Sequence, residues 1–252
     1  MLIEKSKIEN KFLKSINSYD LNASAQKIII DKLLSIINTF PFINPACVLE
    51  IGCGTGLLTK NLSSKFCIDT LHLNDLVYEL CQKSAKVANI DAVSCISGDF
   101  EELEFKSNYD LIISTSTFQW FHNRTKAFKK LANLLNESSF LVFSSFGTDN
   151  FKEIRSLESG GLEYTDLDKL KQELNKDFDL LYTFEENIIL EFSSPLEILK
   201  HIKSTGVGAV ASKTKWNPQK LLKFSNSYKQ FLLPNGNYPL TYHPLYFVCQ
   251  KR

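Results

Sequence analysis

Net charge is almost absent from this chain, at +1 over 252 residues. So even a balance argues against a protein built around nucleic acid or an anionic membrane surface. No stretch approaches the roughly 18 to 20 apolar residues of a membrane span. The first segment, MLIEKSKIENKFLKSIN, alternates charge with single apolar residues and lacks the continuous apolar run of a secretory signal. A soluble chain that begins here and stays in the cytoplasm is expected. The six cysteines (Cys47, Cys53, Cys67, Cys81, Cys95 and Cys249) include no C-x-x-C pair. The usual ligand spacing of a zinc site is therefore missing, and reduced thiols with no bound metal are expected. Four cysteines recur every fourteen residues from Cys53 to Cys95, but the sequence around them does not repeat.

What is present is enough apolar content, 44%, to bury one substantial core, so 1–252 is expected to form one domain. Residues 24–38 place Ile29, Leu33, Ile36 and Ile37 at helical spacing behind Ser24, and 1–40 reads as an N-terminal helical segment. Short apolar runs at 46–53, 69–75, 109–115 and 139–146 alternate with helical patterns at 55–64, 76–88 and 124–136. That alternation predicts a parallel sheet with crossover helices, with 46–150 as the ligand-binding half. Beyond 150, a helical region at 151–175 leads to one long strand at 178–192, and a last strand spans 239–251. These two predict an antiparallel edge on the sheet. Residues 195–233, with Asn217 and Pro218 announcing a helix, read as an inserted helical cap. Charge is segregated here: 151–191 carry eleven acids against five bases, and 196–230 carry seven lysines against Glu197.

The turn EIGCGTG (50–56) lies between a strand and a helix, where glycine lets backbone approach a ligand closely. A dinucleotide fingerprint needs a third glycine at position 57, which is Leu57, and no Lys-Ser/Thr pair follows to make a P-loop. Glu50 ahead of the turn would repel a pyrophosphate and suits a ligand with a cationic head. Asp75 ends the second strand, where α/β nucleotide sites keep an acid for ribose hydroxyls, and Asp99 follows the third with Phe100 beside it as a stacking surface for a base.

The segments VLEIGCGTG, LND, SGDF and YDLIIST resemble, in order and spacing, the cofactor motifs of class I S-adenosylmethionine-dependent methyltransferases. That resemblance covers 46–146. It implies an α/β, Rossmann-like fold: a mostly parallel seven-stranded sheet with an antiparallel C-terminal edge strand and a helical cap. It also implies S-adenosylmethionine as cofactor, with Glu50, Gly52, Gly54, Gly56 and Ser114 near its methionine part, Asp75 on the ribose, and Asp99 and Phe100 around the adenine.

STSTFQWF (114–121), IKSTGVGA (202–209) and NYPLTYHPLYFV (237–248) are similar to the malonyl-acyl-carrier-protein O-methyltransferase family of biotin synthesis. The similarity runs nearly end to end and extends to NSYD (17–20), where the family's tyrosine closes over the cofactor, a role that falls to Tyr19. It implies Gln119, Trp120, Tyr242 and His243 at the reacting groups. Family members often have an arginine after the cap's glycine turn; this chain has Lys213 and Lys215 instead. Donors for the acceptor carboxylate are then sought among Tyr242, His243, Lys203, Arg124 and Lys213. The cap lysines would draw in an acidic malonyl-acyl-carrier protein.

Plainer readings stand beside these. Tyr242 and His243 can simply alternate across the last strand, Trp120 can be core, and the lysines can be a solvated helix face. The segment DLIISTSTFQWF (110–121) ends in hydroxyls, an amide and aromatics, with no acid, thiol or histidine before His122. A carboxylate with a reference pKa of roughly 3 to 4 is already ionised and needs no base there. Methylation of another small carboxylic acid or a quinone precursor is the alternative activity, and a silent cofactor-binding module is the alternative class.

Overall fold

The computed structural model describes residues 4–16, 18–157, 162–205 and 216–252. In chain order the elements are α1 (Lys5–Ser15), α2 (Tyr19–Asn22), α3 (Ser24–Ile37), β1 (Cys47–Ile51), α4 (Leu57–Lys65), β2 (Thr70–Asp75), α5 (Tyr78–Val87) and β3 (Ala92–Ser97). They continue with β4 (Tyr109–Ser114), α6 (Arg124–Leu134), β5 (Leu135–Phe146), α7 (Lys152–Leu157), α8 (Leu167–Leu174), β6 (Phe178–Glu185) and β7 (Ile188–Phe192). The last are α9 (Pro195–Ser204), α10 (Pro218–Tyr228), β8 (Tyr238–Tyr242) and β9 (Pro244–Lys251).

The chain divides into two compact units. One comprises Gln26–Ser145, Thr165–Glu185 and Leu245–Arg252; the other comprises Met1–Ala25, Phe146–Tyr164 and Glu186–Pro244. The first holds a seven-stranded sheet of order β3-β2-β1-β4-β5-β9-β6. The pairs β1–β2, β1–β4, β2–β3 and β4–β5 are parallel, and β6–β9 is antiparallel. This is the Rossmann-like arrangement expected. Within the antiparallel edge, β6 is outermost and the C-terminal β9 lies one strand in. Position in the sheet explains the apolar patterns: central β1 and β4 are buried almost throughout, whereas β3 at the opposite edge alternates with exposure. The winding reverses between β1 and β4, which is where open α/β sheets bind ligands.

Two expected strands are each split. The run 178–192 breaks after Glu185 into β6 and β7, and 239–251 breaks at His243 into β8 and β9. Pro244 supplies the physical reason, because it has no N–H to continue a ladder. His243 beside it turns its backbone elsewhere: its N–H donates to Asn150 Oδ1 at 3.2 Å and its carbonyl accepts from Gly147 N at 2.8 Å. β7 and β8 accordingly form a separate antiparallel pair in the second unit. That unit's helices start as the sequence indicates. Asn217 Oδ1 caps α10 by accepting from Lys220 N at 2.9 Å, with Pro218 at the first position, and Ser194 with Pro195 does the same for α9. Tyr228 of α10 is buried and donates to Pro239 O at 2.8 Å.

The core of the sheet unit is unusually aromatic. Phe118, in a short 3-10 turn after β4, stacks on Phe143 of β5 with ring centroids 4.4 Å apart, and Phe143 stacks on Phe247 of β9 at 4.7 Å. Phe121 adds a fourth ring 4.7 Å from Phe118. This column clamps the segment after β4 onto two neighbouring strands, so the shape of that tip depends on apolar packing. Truncating the fully buried Phe143 to alanine should cost about 3–5 kcal/mol. Urea unfolding reads this as a lowered midpoint at unchanged slope. A loss below about 1 kcal/mol would mean that the column does not hold the tip.

Candidate functional site

The glycine turn is assembled by backbone and closed by side chains. After β1, the N–H groups of Gly52 and Cys53 both donate to Asn74 O of β2, at 2.8 and 3.0 Å. A Cβ on Gly52 would lie 2.1 Å from Thr117 Oγ1, so the tip after β4 packs directly on the turn and admits no side chain there. Gly54 differs: at φ +54° its added Cβ would meet only Gly52 O at 4.0 Å. The protein leaves the face of that middle glycine empty, which is the form a close-approach surface for a ligand takes.

Two buried carboxyls underlie this turn. Asp75, at the end of β2, accepts from Gly54 N through Oδ2 at 2.8 Å and from Val77 N through Oδ1 at 2.9 Å. Burial pushes its pKa up to about 6 against the pull of backbone hydrogen bonds from Val77, Gly54 and Leu76. Glu50 is more deeply buried, at 1% exposure. Thr59 Oγ1 donates to Glu50 Oε2 at 2.7 Å and lies 2.5 Å from Ser84 Oγ. Burial first, with the nearby Asp75 and Cys81 adding to it and the Thr59 hydrogen bond opposing, pushes Glu50 up to about 8. Glu50 therefore holds its proton at neutral pH until a positive charge comes close.

The next strand end is tied in similarly. Asn74 Nδ2 donates to Ile96 O and Gly98 O at 2.8 and 3.1 Å, fixing the turn that carries Asp99, whose Oδ1 accepts from Glu101 N at 3.0 Å. Phe100 packs inward: its ring is buried, stacks on Phe121 at 5.6 Å and has Lys130 Nζ 4.8 Å from its centroid. A sequence cannot show that its ring has partners at 105, 121 and 130.

At the end of β4, Ser114 Oγ is spent on Ile51 O at 2.7 Å, locking β4 to β1. Ser116 has a left-handed φ of 55°, and its N–H points to Ser144 O and Oγ, both at 3.2 Å. Gln119 Nε2 donates to Ser116 O at 2.6 Å. Trp120 is buried at 8% exposure. Buried side-chain polar atoms without a hydrogen-bond partner among the described residues include Ser116 Oγ and Gln119 Oε1. Glu50, Gly52, Gly54, Gly56, Asp75, Asp99, Ser114, Gln119 and Trp120 thus belong to one unit, around the ends of β1 to β4. Arg124 belongs to it too, but its Nε and Nη2 hold the Glu173 carboxylate at 3.0 and 3.1 Å, so a docking role would have to break that pair.

Of the remaining expected residues, Tyr19, Lys203, Tyr242 and His243 lie in the second unit. Tyr19 opens α2, half-buried beside Phe12. Lys203 is exposed on α9, and Lys213 and Lys215 fall outside the described residues. His243 Nδ1 accepts from Asp149 N at 3.0 Å. Tyr242 is buried and its hydroxyl sits 2.8 Å from His201 Nε2. His201 escaped the sequence reading. Its only signal is its place three residues after buried Ile198 on α9, and burial lowers its pKa to about 4, so it is neutral.

Comparison with known proteins adds to this geometry. The Methyltransferase domain family matches residues 49–143. The N-methyltransferase NodS from Bradyrhizobium japonicum, solved with S-adenosyl-L-homocysteine, superposes with a TM-score of 0.59 at 11% identity, covering 97% of this chain and 98% of that one. A magnesium protoporphyrin IX methyltransferase from Synechocystis, also with bound S-adenosyl-L-homocysteine, gives 0.54 at 12% identity over 90% and 83%. At such identities they show the fold alone. A malonyl-acyl-carrier-protein O-methyltransferase from Acinetobacter baylyi is 36% identical over 252 residues, 99% of this chain and 98% of its own length. One of the same description from Haemophilus influenzae is 36% identical over 98% and 95%. Another from Bacteroides fragilis is 37% identical over 97% of this chain, which spans half of that relative's length. With strand ends, glycine turn and sequence agreeing from one end to the other, the chain belongs to the malonyl-acyl-carrier-protein O-methyltransferase family.

Proposed function

We propose that this protein transfers the methyl group of S-adenosylmethionine to the free carboxylate of malonyl-acyl-carrier protein, giving its methyl ester at an early stage of biotin synthesis. The observation that carries the acceptor is the similarity to the Acinetobacter baylyi relative over 99% of the chain. All six cysteines are free thiols, which suits the reducing cytoplasm as its location.

The residues around the glycine turn suit the cofactor. Gly54 leaves room for close approach, and the two Asp75 oxygens, held by the backbone N–H groups of Gly54, Val77 and Leu76, retain a lone pair for a ribose hydroxyl. Glu50 offers a buried acid that can ionise toward a cation. When bound, S-adenosylmethionine supplies a methyl group already activated by a sulfonium centre. What this chain's residues must add is placement and dryness. The tip after β4 presents hydroxyls and an amide backed by Phe118 and Trp120, a surface that orients an ionised carboxylate without having to deprotonate it. Alignment alone can supply on the order of 7–11 kcal/mol. Exclusion of water strengthens the attraction between the two opposite charges before they cancel. Tyr19, Tyr242, His243 and the lysines Lys203, Lys213 and Lys215 complete the reading, as closure over the cofactor, recognition of the acceptor and docking of an acidic carrier.

Methyl-labelled cofactor offered to malonyl-acyl-carrier protein, malonyl-coenzyme A and free malonate should give a base-labile methyl ester, fastest on the carrier protein. Label on none of the three would overturn the acceptor, and equal rates on free malonate would remove the carrier from it.

A second expectation concerns protons. A cation near Glu50 favours its ionised form, so cofactor binding below about pH 8 should release a proton from it. Affinity then rises with pH by at most about tenfold per unit for one proton, and levels off above Glu50's pKa. Calorimetry in buffers of different ionisation enthalpy measures the release directly. Glu50→Gln should abolish most of it, and an unchanged release in that variant would show the proton to come from elsewhere, Asp75 first.

A further inference from the structure

Ser116 Oγ and Gln119 Oε1 lie three residues apart on one turn, and both are buried without a partner among the described residues. Each such atom costs about 1–3 kcal/mol, and native folds keep few. Ser116 also holds φ at 55°, a conformation that costs a serine roughly 1–3 kcal/mol. Strain and unmet hydrogen bonds concentrate here on four residues that pack against the glycine turn through Thr117. Both residues are partly exposed, so their side chains lie at the rim of the turn where a ligand can reach them.

The two atoms differ in kind. Gln119 Nε2 lies 2.6 Å from Ser116 O, and only the NH2 end of an amide can face a carbonyl, so its orientation is fixed. Oε1 is therefore purely an acceptor. The Ser116 hydroxyl has no acceptor among the described residues, so its proton is available to donate. An acceptor complements a positive group and a donor complements an anion; a sulfonium methyl and a carboxylate are one of each.

We infer that Gln119 Oε1 faces the sulfonium methyl while the Ser116 hydroxyl donates to the acceptor carboxylate, so that one turn aligns both reactants by charge. The inference rests on the acceptor proposed above. The reverse pairing is repulsive, since a carboxylate against Oε1 sets two negative oxygens together. In the transfer, a carboxylate oxygen lone pair forms the new O–C bond as the S–C bond breaks, and its electron pair stays on sulfur. No proton moves, so Ser116 and Gln119 keep theirs. Both charges vanish, and with them most of the attraction to each residue. The pair therefore selects charged reactants over neutral products, and its loss should appear in binding preferences.

Calorimetry tests this with four proteins: wild type, Ser116→Ala, Ser116→Gly and Gln119→Met. The ligands are S-adenosylmethionine and S-adenosylhomocysteine, then malonyl- and acetyl-coenzyme A in the presence of S-adenosylhomocysteine. Gln119→Met should lose about two- to fivefold of the preference for the methylated cofactor. Both serine variants should lose about tenfold or more of the preference for malonyl over acetyl, with S-adenosylmethionine affinity within about twofold of wild type. Equal weakening of both cofactor forms in Gln119→Met, or an undiminished malonyl preference in the serine variants, would overturn the assignment. So would a marked divergence of Ser116→Ala from Ser116→Gly, because glycine relieves the left-handed backbone and alanine does not, which would trace the effect to strain. A wild type that itself binds malonyl and acetyl thioesters alike would overturn the proposed acceptor.

Discussion

The carboxylate of Asp75 is the group on which the rest of the cofactor half depends. One oxygen takes Gly54 N and the other takes Val77 N, so a single side chain ties the turn after β1 to the turn after β2. Hydrogen bonds to a charged acceptor contribute about 1.5–3 kcal/mol each and offset part of the burial cost. The offset is incomplete, since the folded pKa is raised from 3.8 to about 6. The sign follows: the folded state binds this proton more tightly than the unfolded one, so the group's contribution to stability falls as pH rises through that interval. At neutral pH the fold keeps an ionised carboxylate under the turn at a net cost. A purely structural tie would be cheaper with a neutral side chain, so the retained charge points to what the turn must hold.

Glu50 is the complementary case. It shares the burial but has one hydroxyl donor, Thr59, where Asp75 has backbone amides, and its pKa climbs further. Two acids within one buried cluster are thereby set to different protonation states by deeper burial, the neighbouring charge of Asp75 on Glu50 and an unequal supply of hydrogen-bond donors. The tip after β4 works by another means. Two of its polar side-chain atoms, Ser116 Oγ and Gln119 Oε1, have no partner among the described residues, and its position is fixed from beneath by the Phe118, Phe143 and Phe247 stack. Apolar packing carries the precision that the polar face does not provide for itself.

Much of this was legible in the sequence because it is local. The glycine spacing, the acids at consecutive strand ends and the Asn217-Pro218 helix start each need only a few adjacent residues. What could not be read depended on partners far along the chain. The packing of Phe100 on Phe121 under Lys130, and the pairing of Arg124 with Glu173, 49 residues on, are contacts of this kind. His201 had no motif, and only the fold sets it beside Tyr242, 41 residues away. The split at Pro244 was local and readable, but a β-rich pattern on both sides hid it.

Hydrogen-bond satisfaction separates scaffold from site more cleanly than residue type does. Ser114 and Ser116 are two residues apart and chemically identical, yet one hydroxyl is consumed by Ile51 O and the other is buried without a partner among the described residues. The first can only position β4 against β1; the second has a use only when something else arrives. Gln119 shows both roles in one side chain, its NH2 end spent on the turn and its oxygen left over. A transfer that needs no proton removed has no need of an acid or histidine at such a place. It needs one donor and one acceptor held at a fixed separation, and a strained turn on an aromatic stack provides them.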